Sequence, residues 1–277
     1  MKAQIFLCVI ALSLLAPGCV STGAVRPLGS AAPESREEAR ESIASPRIFP
    51  DGVRLVYLMA WNGIPVGSIT AESGDTIEYR GRRAYVVKIT TESNRFLSGI
   101  YRVEDIYISY IDTETMTSLR YEADRKEGRY RKHVIVEYDM DKLEATYTNL
   151  VDGSVKTCAI EREVQDPVSA MCYFMTMPVK RGERVKITVN LNEKNYGLYG
   201  DVESLDLITL SALGCFPAFK VRPCAELDGR EVRKGRAWMY FAADGTRYPL
   251  YGVVVIPFGK VTATLREINR SDKGRAI

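Results

Sequence analysis

From Asp51 to Ile268 apolar and polar residues alternate with a period of two, the pattern of strands that bury one face. Val134, Val136 and Tyr138 alternate against His133, Ile135 and Glu137. The same phase runs through Tyr85/Val87/Ile89, Leu119/Tyr121/Ala123, Leu143/Ala145/Tyr147, Val185/Ile187/Val189, Ala237/Met239/Phe241 and Val261/Ala263/Leu265. Turn pairs punctuate these runs at Asn62-Gly63, Arg80-Gly81, Glu127-Gly128, Asp152-Gly153, Arg181-Gly182, Asp228-Gly229 and Asp244-Gly245. Strands at hairpin spacing, without long helical crossovers, predict an all-β fold: an antiparallel meander, roll or barrel-like sheet. One short connecting helix is expected near residues 166–176, where Asp166 suits an N-cap and Pro167 the first helical position. It divides the chain nearly in half and reads either as a plug across one end of the sheet system or as a link between two sheets.

The pattern breaks at the start of the chain. Met1-Lys2 leads into an almost wholly apolar run from Ile5 to Leu15, followed by Leu15-Ala16-Pro17-Gly18 and Cys19. That run is shorter than the roughly 20 residues a spanning helix needs. It resembles a bacterial lipoprotein signal, with Ala16 where Leu is commoner, and the resemblance implies cleavage after residue 18 and acylation of the Cys19 thiol. Val20 follows the cysteine, in place of the Asp that marks inner-membrane retention in the enterobacterial pattern. The expected address is the outer membrane, facing the periplasm. Residues 19–50 hold Pro27, Pro33, Pro46 and Pro50 and few large apolar groups, so they read as a linker that cannot offset its own ordering entropy. The β-rich domain then spans 51–268, and 269–277 reads as a disordered tail.

Composition is that of an ordinary globular chain, 46% hydrophobic and 26% charged over 277 residues. A net charge of +3 gives no argument for a nucleic-acid partner. A single histidine, His133, rules out multi-histidine metal sites, and any Ser/His/Asp or Cys/His system would have to use it. No serine or cysteine stands at a diagnostic spacing from it, and its neighbours Arg129, Arg131 and Lys132 are cations that would depress its proton affinity. Phosphate loops, EF-hands and zincin motifs are absent, so no metal, cofactor or catalytic residue is assigned. Paired carboxylates are defined by space and carry no sequence signature. Basic clusters at Arg80-Gly81-Arg82-Arg83 and from Arg125 to Lys132 read as solvated hairpin tips or as contacts to lipid headgroups or anionic polysaccharide.

Four cysteines fall in the β-rich part: Cys158, Cys172, Cys215 and Cys224. Export to an oxidising compartment favours disulfides, and the preferred pairing is Cys215 with Cys224, across a stretch holding Pro217 and Pro223, and Cys158 with Cys172. Four free thiols are the alternative.

Several short segments together are similar to an exported bacterial family, domain of unknown function 3108. They are Leu55-Val56-Tyr57, Trp61-Asn62-Gly63-Ile64-Pro65-Val66-Gly67, Thr91-Glu92-Ser93-Asn94, Ile100-Tyr101-Arg102-Val103-Glu104-Asp105, Asp166-Pro167-Val168-Ser169-Ala170, Ala237-Trp238, Tyr248-Pro249 and Pro257-Phe258-Gly259. The resemblance implies an exported β-rich envelope protein and transfers no catalytic residue. The residues alone admit structural roles: a tight turn at Asn62-Gly63, a bulge at Gly67, rim or core anchors at Trp61 and Trp238, and a strand-ending turn or cavity-mouth cluster at Ser93-Asn94-Arg95.

The expected function is non-catalytic: a binding or carrier domain holding an apolar or amphiphilic envelope molecule such as a lipid in the hollow of its sheet. The alternatives are an assembly module for another envelope protein or, less favoured, a hydrolase. An unfilled apolar interior points to the carrier, and a packed interior points to the module. Attachment through Cys19 has its own test. Labelled palmitate is expected to mark the wild-type chain and not Cys19→Ala, and a wild type that incorporates no lipid would contradict the assignment.

Overall fold

The computed structural model describes residues 52–232 and 235–270. The signal segment 1–18, Cys19 and the linker to residue 50 lie outside the described residues, as do 271–277 of the expected tail. The strands are β1 (Val53–Trp61), β2 (Ile64–Ser73), β3 (Ile77–Tyr79), β4 (Arg82–Ser93), β5 (Val103–Asp112), β6 (Ser118–Glu127), β7 (Tyr130–Asp139), β8 (Glu144–Asn149), β9 (Val155–Ala159), β10 (Arg184–Leu191), β11 (Lys194–Leu210), β12 (Gly214–Leu227), β13 (Arg230–Glu231), β14 (Arg236–Ala242), β15 (Pro249–Ile256) and β16 (Gly259–Arg270). Two helices interrupt them, α1 (Arg95–Ser98) and α2 (Pro167–Thr176).

All the strands join one antiparallel sheet in the order β10-β11-β12-β14-β15-β16-β1-β2-β4-β5-β6-β7-β8-β9, with β3 on β4 and β13 on β12. The two meanders are stitched at the middle by β1 and β16, from Val53 opposite Arg270 to Trp61 opposite Val261. That pairing carries β16 through Asn269 and Arg270 and corrects the tail boundary, which the sequence placed at 269, because β1 supplies partners for both residues.

An open twisted sheet of this many strands curls. Here its two edges come together along a seam made by side chains and one short bridge. Gln165 pairs in parallel with Val189 of β10: its N–H donates to the Thr188 carbonyl at 2.9 Å and its carbonyl accepts from Asn190 N at 2.8 Å. Asn195 Nδ2 donates to the Ala159 carbonyl at 2.8 Å, Thr188 Oγ1 to Glu161 Oε2 at 3.0 Å, and Lys156 pairs with Glu193 at 3.0 Å.

α2 occupies the hollow and is a plug. Val168, Ala170, Cys172, Phe174 and Met175 are buried against the inner sheet face, and the Phe174 ring lies 4.6 Å from that of Phe241. Asp166 begins the helix as the sequence predicts, and does more. One carboxylate oxygen accepts from the Val168 and Ser169 N–H groups at 2.7 and 2.9 Å; the other accepts from the hydroxyls of Ser109 in β5 and Ser118 in β6, both at 2.5 Å. Ser169 Oγ returns a bond from the Asp166 N–H, completing a capping box. Burial pushes the Asp166 carboxyl above its usual range even though these donors pull it down.

Removing this carboxylate loses the cap, about 1 kcal/mol, and strands two buried hydroxyls at about 1–3 kcal/mol each, partly relieved if they find one another. Asp166→Ala is therefore expected to cost about 2–4 kcal/mol in urea denaturation. Asp166→Asn, which keeps an acceptor for the helix and a polar partner for the serines, should retain most of the stability.

Candidate functional site

The antiparallel register gathers onto one end of the barrel segments that are far apart in sequence. β1 ends and β2 begins at Trp61 and Ile64, which pair; β4 ends at Ser93, opposite Gly67; β5 begins at Val103, opposite Glu127; β15 and β16 turn at Ile256 and Gly259. The β1–β2, β4–β5, β6–β7 and β15–β16 connections therefore sit side by side. Three of them are cross-linked. Trp61 Nε1 donates to the Phe258 carbonyl at 3.3 Å, and Asn62 Oδ1 accepts from Lys260 N at 2.8 Å. Asn94 Nδ2 donates to the Pro65 carbonyl at 2.7 Å while Asn94 Oδ1 caps α1 through Leu97 N at 2.8 Å. Ser93 Oγ accepts from Val103 N at 2.9 Å. The fourth joins through Gly128, whose N–H donates to the Arg102 carbonyl at 2.7 Å under the Tyr101 ring.

Two glycines explain local sequence choices here. Asn62 and Gly63 both have positive φ, 49° and 86°, as a two-residue hairpin turn of the Asn-Gly kind requires. A Cβ on Gly67 would lie 2.2 Å from the Glu92 carbonyl oxygen, so only glycine admits β4 this close, and the β1–β2 register shifts beside it.

The cross-links hold large apolar side chains in the open. Trp61 is 45% exposed, Ile64 58%, Phe96 70%, Ile100 78% and Phe258 68%. Just inside the same end lies an acid pair that alternation alone would have assigned to apolar residues. Asp105 and Glu127 are buried, share a hydrogen bond, and both have carboxyls raised by burial, against the pull of Arg125. Asp105 accepts from Lys126 N at 2.9 Å and from the Tyr107 hydroxyl at 3.1 Å; Arg125 Nε donates to Glu127 at 3.0 Å and its guanidinium lies 5.2 Å from the Tyr130 ring centroid. The available signal was an Asp in phase with Val103, Tyr107 and Ile111 on the buried face of β5.

The hollow itself is largely filled. Tyr57, Tyr107, Tyr121, Tyr138 and Tyr147 are buried with the inward Val, Ile and Leu residues and α2. An apolar cavity of about 50 Å³ remains beside α2, lined by Val168, Met171 and Cys172 from the helix and by Tyr57, Ile69, Val87, Ile89, Met239 and Ala263 from the sheet.

The structure corrects the cysteine pairing: Cys158, Cys172, Cys215 and Cys224 are all free thiols. Cys215 and Cys224 lie on one strand, β12, and nine extended residues hold their Cα atoms roughly 30 Å apart, where a disulfide needs about 7 Å or less. Cys172 is buried in α2 and burial pushes its thiol up; Cys158, on the edge strand β9, accepts from Asn190 Nδ2 at 3.6 Å. His133 has an acidic partner, Glu122 Oε1 at 2.8 Å, rather than only the cations beside it in sequence. Trp238 is bonded to Glu203 at 3.2 Å beneath Lys220 and Arg236. Ser93 and Asn94 form the strand-ending turn. The Arg80–Arg83 cluster is ion-paired: Arg80 with Glu137 at 3.3 Å and Arg82 with Asp112 at 2.8 Å.

Comparison with known proteins gives a family and a fold. The family described as Protein of unknown function (DUF3108) matches residues 56–266. Among solved structures, a β-barrel-like protein of domain of unknown function DUF1849 from Brucella abortus is 8% identical with a TM-score of 0.55, covering 80% of this chain and 99% of that one. A protein of YmcC-like fold from Bacteroides fragilis is 10% identical with a TM-score of 0.34, covering 81% of this chain and 100% of its own. No curated protein matches.

The acid pair makes stability depend on pH with a definite sign. A carboxyl raised on folding binds its proton more tightly in the native state, so its contribution is greatest below the unfolded value, near pH 4, and is lost as pH rises through the raised native value. Asp105→Asn keeps an acceptor for Lys126 N and removes one charge of the pair. Urea titrations from pH 4 to 8 should show a flatter profile for Asp105→Asn than for wild type, and equal slopes would contradict the assignment.

Proposed function

The chain belongs to the DUF3108 family, and we propose that this member is a non-catalytic binding module of the bacterial cell envelope, tethered by lipid on Cys19 at the outer membrane and engaging its partner through the Trp61 end of the barrel. The observation that carries this reading is the convergence of the segments 61–67, 91–94, 100–105 and 257–259 on one end, locked together by hydrogen bonds and bearing exposed apolar side chains. Monomeric surfaces rarely expose large contiguous apolar patches without a partner to cover them.

The filled interior favours the module over the carrier. The cavity beside α2, about 50 Å³, compares with roughly 300–1,000 Å³ for pockets that take small-molecule ligands. An acyl chain would have to displace α2, and with it the Asp166 hydrogen bonds. The pairing of His133 with Glu122 and the tie of the buried acids to Arg125 and backbone suit structural roles rather than chemistry on a substrate.

Native mass spectrometry of the protein released from its own envelope separates the two readings. The module is expected at the mass of the chain with its Cys19 acyl groups alone. A stoichiometric additional lipid that survives dilution would restore the carrier.

A further inference from the structure

The charge of the exposed end says what kind of surface it meets. Residues 61–65, 93–102, 128–131 and 257–260 make up four neighbouring connections of that end, beside β8–β9, β10–β11 and β12–β14, which carry acidic residues. The four contain five cations, Arg95, Arg102, Arg129, Arg131 and Lys260, and no aspartate or glutamate; Arg102 is ion-paired with Glu104 just inside the connection. All five are exposed, and they stand among Trp61, Ile64, Phe96, Ile100 and Phe258. We infer that this end of the barrel docks on an anionic lipid bilayer, its aromatic and aliphatic tips entering the interfacial layer while the arginines and lysine reach the headgroup phosphates.

Three features favour a bilayer over a protein partner. The apolar groups project from neighbouring turns, a form that suits insertion between headgroups. Long basic side chains beside such groups keep their charge at the phosphates while their stems lie on apolar material, and Trp is the side chain most at home at that depth. The negative surface potential of anionic lipid then attracts each cation.

The tips are also pre-arranged. Trp61 is fixed to Phe258, Asn62 to Lys260 and Asn94 to Pro65, so insertion orders little that is not already ordered. Chain length permits the geometry even though β1 begins at the opposite end from Trp61. Nine residues of β1 span about 30 Å, while residues 20–52 can extend to roughly 110 Å from an anchor at Cys19. A single lipid tether holds the domain near the membrane, and a second contact sets its orientation.

The inference rests on the docking end of the module reading, and one experiment separates the two. The chain has two tryptophans, so Trp238→Phe leaves Trp61 as sole reporter and Trp61→Phe leaves Trp238, which lies on β14 against Glu203. The full chain is reconstituted into vesicles of phosphatidylglycerol or of phosphatidylcholine carrying brominated acyl chains. Trp61 fluorescence is expected to be quenched several-fold more than Trp238 in phosphatidylglycerol, and less as salt rises. Replacing Phe258→Ser or Ile64→Ser should reduce that quenching. Trp61 quenched no more than Trp238 overturns the bilayer assignment. In that event acrylamide access in native envelope fragments locates the fault: a shielded Trp61 keeps the docking end and gives it a protein partner, and an open Trp61 overturns both.

Discussion

The buried carboxylate of Asp166 is the contact on which the rest of the molecule depends. A long antiparallel sheet rolled until its edges meet encloses a space that its own side chains only partly fill. The ten residues of α2 complete the filling, and Asp166 pins that helix to β5 and β6 through Ser109 and Ser118. The same segment closes the roll, because Gln165, immediately before Asp166, forms the bridge to β10. Filling and closure are thus one local event of chain direction, and they decide whether the hollow is available to a ligand.

With the hollow occupied, the proposed binding function lies at the surface. The family-like segments explain themselves once the register is known. Leu55-Val56-Tyr57 and Tyr248-Pro249 meet where the Tyr57 hydroxyl donates to the Pro249 carbonyl at 2.8 Å. Asp166–Ala170 is the capping box, and the segments around Trp61, Asn94, Arg102 and Phe258 interlock at one end. These residues build a rigid platform first, and the apolar and basic groups that project from it gain their positions from that rigidity.

Much of this architecture was legible in the chain. Alternation marked the strands, Asn62-Gly63 marked its turn, and Asp166-Pro167 marked the helix start, because each of these signals is local. The Cys215–Cys224 pairing failed for a physical reason. Pro217 and Pro223 read as a fold-back, yet both sit outside the Ala218–Val221 stretch that pairs with β14, so neither missing N–H breaks that ladder. The β11–β12 pairing then keeps the whole segment extended. The convergence of the connections and the Asp105–Glu127 pair were not readable, since both follow from register across β1, β2, β4, β5, β6 and β16.

Hydrogen exchange of the α2 amides, from Ala170 to Met175, tests most directly whether the hollow is permanently filled. If Asp166 holds the helix as an integral part of the core, these amides exchange only with global unfolding, at the same free energy as the central amides of β1. Exchange of α2 through a local opening, orders of magnitude faster while β1 and β16 stay protected, would show a helix that leaves the barrel and a hollow open to an acyl chain.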